Sequence, residues 1–443
     1  MTAAVSVNIA ERLRAMAAER PDAKAMVFIK EGRGLTFREL DADVDRVAAG
    51  LKTHGLARGM RTAVMVRPGP DFFAVAFGLF RLGAVPVLID PGLGRKAFGR
   101  CLGEADPEAF VGVPLAHAAR LAFGWAKNVR HRVVVGPLGY PGSPTLDAVR
   151  ALAAPVPYDA PPTRRDDTAA VLFTSGSTGT PKGAVYTHGN FAAQVDLLRA
   201  RFAIEPGEVD LATFPLFGLF CPAMGMTAVI PDMDFTRPGS VEPRNIVGPV
   251  LEYGVTNLFG SPALLDRVSR AAGQTKLPSL RRVLSAGAPV SPAVLERVQG
   301  MLPKGARVHT PYGATEALPV AAIDSYEVLT ETAEGTAKGR GTCVGRPVDG
   351  VDVILMKVSD APVPVWSEDF RAAEGEVGEI LVRGPQVTRS YHARPEADAL
   401  AKVAFPDGSF GHRMGDLGRF DEVGRLWFCG RKTQRVETSK GPL

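Results

Sequence analysis

Short β-rich runs alternating with helical runs predict an α/β protein with mostly parallel sheets. Strand-like segments recur at residues 25–29, 62–66, 85–89, 109–113 and 132–135, with helical periodicity between the earlier ones. The chain has 443 residues, 46% of them hydrophobic and 22% charged, so it is long enough to bury a large core. Its most apolar stretch, 72–89, is interrupted by Arg81, Gly83 and Pro86. That pattern reads as a buried helix followed by a strand, and no transmembrane segment is expected.

The elements follow in order. Asn8-Ile9-Ala10-Glu11 has the form of a capping box, and Ile9, Leu13 and Met16 recur at helical spacing until Pro21. Thr36-Phe37-Arg38-Glu39 is a second box, opening a helix with the face Leu40, Val44, Val47 and Leu51 and a stop at Gly55. An apolar helix is expected over 71–82, and the Pro-rich segment 155–162 reads as a linker. Asn190 is placed to cap a helix running to about Phe202. The apolar run 211–220 suits either core or one wall of an apolar pocket. Further on, 282–289 reads as a strand entering a small-residue turn, 307–310 as a short strand ending at Pro311, and 375–383 as two strand fragments.

One loop stands apart: Thr174-Ser175-Gly176-Ser177-Thr178-Gly179-Thr180-Pro181-Lys182-Gly183. Its glycines free the backbone for close approach to a ligand, and consecutive N–H groups in such a loop form an anion-binding concavity. Five hydroxyls and Lys182 add donors and a positive charge. The loop suits a triphosphate such as that of ATP. It is not a P-loop, because Pro181 stands where the second glycine belongs and a strand-like run, 184–187, follows instead of a helix.

The formal net charge of +5 fits an anionic substrate and fits plain solubility equally well. No dense Lys/Arg stripe argues for a nucleic-acid partner. Cys101, Cys221, Cys343 and Cys429 lie far apart without metal spacing, as expected of reduced thiols in a cytoplasmic protein. The N-terminus lacks the pattern of a signal peptide.

The loop, then Tyr312-Gly313-Ala314-Thr315-Glu316, then Gly415-Asp416, then Gly430-Arg431 occur in an order that resembles the adenylate-forming superfamily of acyl-CoA synthetases, peptide-synthetase adenylation domains and luciferases. The resemblance extends over nearly the whole chain. It implies a large N-terminal adenylating domain of stacked mixed sheets with flanking helices and a small β-rich subdomain. The domain would span 1–430, with subdomains of about 1–165, 166–340 and 341–430, and 431–443 would be the hinge. The mobile C-terminal domain of such proteins, with its bridging lysine, is absent from this chain. Nucleotide binding with poor adenylation is therefore expected of it.

The resemblance also implies roles. Thr174, Ser175, Gly176, Ser177, Thr178, Gly179 and Lys182 would wrap the β- and γ-phosphates of ATP. Tyr312, with Gly313 beside it, would stack on adenine, and Gly287, Ala288 and Pro289 would line the other face of the base. Thr315 would bond the α-phosphate, Glu316 would hold Mg²⁺, Asp416 would accept the ribose hydroxyls, and Arg431 would reach ribose or phosphate. Three departures stand out: Met414 where relatives have Thr before Gly-Asp, Gly218 where many have His, and Gln434 where many have Asp or Lys.

Residues 310–320, the polar insert 327–341 and the run 428–435 resemble specifically the β-lactone synthetases of bacterial olefin biosynthesis. The implied substrate is a 2-alkyl-3-hydroxy fatty acid whose own hydroxyl closes the lactone, and assembly with other enzymes of olefin biosynthesis is the implied partnership. A fatty acyl-CoA synthetase and a non-catalytic nucleotide-binding scaffold are the alternatives. His188 and His309 lie near the key loops, and neither is nominated as a base.

Overall fold

The computed structural model describes residues 6–153, 157–174, 181–272, 274–438 and 441–442. Two large sheets dominate. In the smaller, seven-stranded sheet, His131–Val134, Ala109–Gly112, Arg61–Met65, Val85–Ile89 and Thr168–Thr174 run parallel in that spatial order. Lys182–Thr187 and Ser390–Tyr391 complete it in antiparallel pairing. All four residues of Ala109–Gly112 are buried, as befits a parallel strand covered on both faces.

The larger sheet has fourteen strands among the described residues. Its parallel half runs Lys24–Phe28, Thr227–Ile230, Val209–Ala212, Asn257–Phe259, Arg282–Leu284 and Arg307–Ala314. The expectation of mostly parallel sheets holds only to this point. Arg307–Ala314 continues past Pro311 and folds back on Ala317–Asp324 as a hairpin, and from there every pairing is antiparallel. The proline does not end the strand, because a strand exchanges hydrogen bonds with a given neighbour only at alternate residues. Residues 375–383 form one strand, Gly378–Arg383, rather than two fragments.

Helix starts show how local chemistry fixes boundaries. Thr36 and Glu39 form the expected reciprocal box at the head of Phe37–Thr53. Asn8 caps Ile9–Glu19 without such a box: its Oδ1 accepts from Ala10 N at 2.9 Å, and its Nδ2 donates to Phe80 O at 2.7 Å. Asn190 is not the cap of its helix. Thr187 caps His188–Phe202 and Asn190 reciprocates from the third helical position. The side-chain amide of Asn190 then donates to Pro385 O and Val387 O, both at 3.0 Å.

Helix Pro70–Leu82 is buried from Phe72 onward and is the hub of the main core. That core joins Met26, Phe28 and Ala228 of the larger sheet to Ala170, Ala184 and Tyr186 of the smaller. Burying Phe72, Phe73, Phe77 and Phe80 stabilises the fold by roughly 6–12 kcal/mol at about 1.5–3 kcal/mol per side chain. Arg81, fully buried in the same helix, donates to Asp41 Oδ1 at 2.5 Å, Asp45 Oδ1 at 2.7 Å and Ala10 O at 3.0 Å. No helix among the described residues is long and apolar enough to cross a membrane.

Candidate active site

Chain segments leaving the carboxyl ends of parallel strands gather at one edge, where open α/β sheets place their ligands. The loop after Thr168–Thr174, the turn after Arg282–Leu284 and the hairpin tip after Arg307–Ala314 all lie on such ends. Ser175, Gly176, Ser177, Thr178 and Gly179 fall outside the described residues, as does the side chain of Thr174. Lys182 is described and begins the returning strand.

Thr315 and Glu316 are the two residues of the hairpin tip, between paired Ala314 and Ala317. The tip is tied down from the other sheet. Tyr186 donates its hydroxyl to Thr315 O. Thr388 N donates to Glu316 O at 2.9 Å, and Tyr391 Oη donates to Glu316 Oε1 at 2.6 Å. Gly313 is required by packing, since a Cβ there would lie 2.8 Å from Ala317 O and 2.9 Å from Leu318 Cβ.

Tyr391 organises the cationic side of the site. The ammonium of Lys182 lies 5.1 Å from its ring centroid and that of Lys402 lies 5.3 Å away, within cation–π range. Lys402 Nζ donates to Thr388 O at 2.5 Å. Lys402 is half-buried as a residue. Burial, reinforced by the positive charge of Lys182, lowers its pKa to about 8 against the opposing pull of Glu316 and Asp398. Burial raises the Tyr391 hydroxyl, and the charge of Glu316 adds to the effect, so the phenol stays a donor. Burial, with Lys402 and Lys182 nearby, likewise keeps His412 neutral.

A second cluster lies on the larger sheet. Tyr312 Oη donates to Asp416 Oδ2 at 2.5 Å, and Arg431 Nη1 donates to Asp416 Oδ1 at 2.5 Å. Asp416 and Arg431 are direct cross-strand partners on Phe410–Phe420 and Leu426–Arg431. Asp416 is 2% exposed. It points inward because the strand bulges: Arg413 to Leu417 opposes only Glu379 to Leu381. Gly415 sits in the bulge at φ +67°, a conformation that favours glycine. Burial raises the Asp416 carboxyl, while Tyr312 and Arg431 oppose that shift, and Glu316 is close enough to add to it. The two clusters therefore share one electrostatic environment.

Gly287, Ala288 and Pro289 form an exposed turn one strand over from Tyr312, with Gly287 at φ +93° and open space where a Cβ would go. Ser285 N donates to His309 O at 2.9 Å and holds the turn against the Tyr312 strand. In the 211–220 run, Phe214 is partly exposed and Phe217 packs edge-on to Phe259 at 4.6 Å. Burial pushes His188 and His309 down to about 4. Among the described residues neither hydrogen-bonds to Glu316 or Asp416. Sequence reasoning passed over Tyr391 and Lys402. The only signal available was a tyrosine and a lysine at 391 and 402 in an otherwise unremarked stretch.

Residues 13–392 match the AMP-binding enzyme family. The chain is 51% identical, over 98% of its length, to an olefin beta-lactone synthetase of Stenotrophomonas maltophilia, of which it covers 81%. It is 50% identical over 98% of its length to the protein of the same name from Xanthomonas campestris pv. campestris, covering 80%. Among solved structures, a long-chain-fatty-acid-CoA ligase from Archaeoglobus fulgidus superposes with a TM-score of 0.79 at 21% identity, covering 96% of this chain and 84% of that one.

Proposed function

The chain belongs to the AMP-binding enzyme family, and from that premise we propose that it activates a 2-alkyl-3-hydroxy fatty acid as its acyl-AMP and closes it to a β-lactone. In the first step the acid's carboxylate oxygen attacks the α-phosphorus of ATP and pyrophosphate leaves. In the second, the acid's own β-hydroxyl attacks the activated carbonyl, AMP leaves and the hydroxyl proton is released. Intramolecular attack offsets part of the ring strain through its effective molarity.

The observation that carries the adenylation step is the convergence of Lys182, Tyr312, Thr315, Glu316 and Asp416, drawn from both sheets, on the carboxyl ends of the parallel strands. In this reading Asp416 exchanges Tyr312 and Arg431 for ribose hydroxyls, or shares them, since a carboxylate has about four lone-pair sites. Tyr312 and the Gly287–Pro289 turn flank the purine, Lys182 meets phosphate, and Thr315 meets the α-phosphate. The glycine-rich loop, 174–183, would supply donors to the β- and γ-phosphates. Glu316 fits a metal ligand: one oxygen is oriented by Tyr391, and Oε2 has no hydrogen-bond partner among the described residues. Mg²⁺ held there would neutralise charge on phosphate oxygens.

The lactone step rests on the similarity to two β-lactone synthetases along almost the entire chain. The test is incubation of the full-length protein with ATP, Mg²⁺ and a 2-alkyl-3-hydroxy acid in the absence of CoA. Release of AMP and pyrophosphate with a product lighter than the acid by one water is expected. Turnover that strictly requires CoA would sink the proposal. We further propose subdomains of about 1–165, 166–340 and 341–430, and assembly with other enzymes of olefin biosynthesis.

A further inference from the structure

Helix Pro114–Phe123 reverses the polarity of an ordinary surface helix. Its only polar side chains, His117 and Arg120, are buried, while Pro114, Leu115, Ala118, Leu121, Ala122 and Phe123 are exposed. At about 100° per residue the exposed positions span one continuous arc of roughly 200°. Leu138, Leu115 and Leu121, at 78%, 71% and 63%, are the three most exposed large apolar side chains among the described residues. Leu138 lies on a neighbouring loop. Its loop is tied to the helix by Tyr140 Oη, 2.9 Å from His117 Nδ1, and by the close approach of Gly136 to Pro114. At the other end Phe123 lies against Trp125, with ring centroids 5.0 Å apart.

The Phe123 end of this face is cationic. The Arg95 guanidinium lies 4.9 Å from the Phe123 ring centroid, and Lys127 lies beside Gly124. Arg120 sits beneath the face, 5.8 Å from the Phe110 ring centroid, without an ion pair among the described residues. From Ala109 to Leu146 the sequence has no Asp or Glu and four Lys or Arg (Arg120, Lys127, Arg130 and Arg132). An apolar face with aromatics and cations together at one end matches an anionic lipid surface, with the rings and the charges at headgroup level.

We propose that helix Pro114–Phe123 and the Leu138 loop form a peripheral docking face for an anionic membrane surface. The face is monotopic: ten helical residues are too few to span a bilayer. The proposal does not depend on which acid the active site uses.

The test is co-sedimentation of the protein with phosphatidylcholine vesicles and with phosphatidylcholine vesicles containing phosphatidylglycerol. Selective pelleting with the anionic vesicles, weakened by raising salt from about 0.05 to 0.5 M, is expected. Leu115→Ser/Leu121→Ser should weaken binding about tenfold by reducing buried apolar area. Arg95→Gln/Lys127→Gln should weaken it about twenty-five-fold, at roughly fivefold per cation. Both pairs are surface changes, so thermal midpoint and nucleotide affinity should match the parent. Failure of the parent to pellet, equal binding to neutral vesicles, or unchanged binding by the leucine pair would each overturn the proposal. So would concentration-dependent dimerisation abolished by the leucine pair in a parent that ignores vesicles, which would make the face a protein interface.

Discussion

Removing one oxygen from Tyr391 tests whether its hydroxyl positions Glu316. In Tyr391→Phe the ring stays between the Lys182 and Lys402 ammoniums, and only the 2.6 Å donation to Glu316 Oε1 is lost. A hydrogen bond to a charged acceptor contributes about 1.5–3 kcal/mol. Glu316 is only partly buried, so water replaces some of that, leaving about 1 kcal/mol of lost orientation, or about fivefold. The loss should appear only where the orientation of Glu316 matters. Equilibrium titration with ATP should show affinity about fivefold weaker with Mg²⁺ present and within about twofold of the parent without it. Fold stability should hardly change, because no buried group loses its only partner. Combining the change with Glu316→Gln separates positioning from packing: in that background Tyr391→Phe should have little further effect. Fully additive losses, or an equal loss with and without Mg²⁺, would refute the positioning role.

Asp416→Asn should lower ATP affinity at least about tenfold while leaving the fold intact, because Arg431 is 40% exposed and returns to water; titration within twofold of the parent would contradict the ribose assignment. Asp210, 3% exposed and accepting from Asn257, has its carboxyl raised by burial to about 6. Between pH 4 and 6 the folded state therefore binds more protons than the unfolded state, and stability falls as pH rises through that window. Asp210→Asn should remove this slope and raise stability at pH 7 by about 1–3 kcal/mol, since the new amide can donate to the unpaired Asn257 Oδ1. Chemical denaturation at several pH values checks both. Arg81→Met should cost about 3–5 kcal/mol in the same assay by leaving Asp45 buried and short of its main partner, with only the partly exposed Arg14 still paired to it.

Local chemistry was legible where it is self-contained. The Thr36 box, the apolar helix at 71–82 and the strand starts depend on a few neighbouring residues, and they fold as the pattern says. Glu316 and Asp416 could be singled out because their motifs resemble those of a family. Tyr391 could not, because its strand has two residues and its partner, Ala184, lies some two hundred positions earlier. Asn190 and Thr187 are both good caps, and only the third-position hydrogen bonds decide which of them takes the role. The polar insert 327–341 gave no periodicity, yet it folds into a run of short helical turns from Ser325–Glu327 to Ala333–Ala337, tied at Arg425 to Glu331. The mixed character of the larger sheet came from the family resemblance and not from the strand pattern, because strand direction is a property of connections, not of residues.

Ser390–Tyr391 is lent by a segment that otherwise serves the larger sheet. The chain leaves Gly378–Arg383, contributes two residues to the smaller sheet, and returns at Lys402–Ala404. This stitch is what holds the carboxylate of Glu316 in register across the seam. In the proposed reading, neither sheet alone forms the nucleotide site. A change that loosens the docking of Ser390–Tyr391 on Lys182–Thr187 would release that carboxylate from its tyrosine partner.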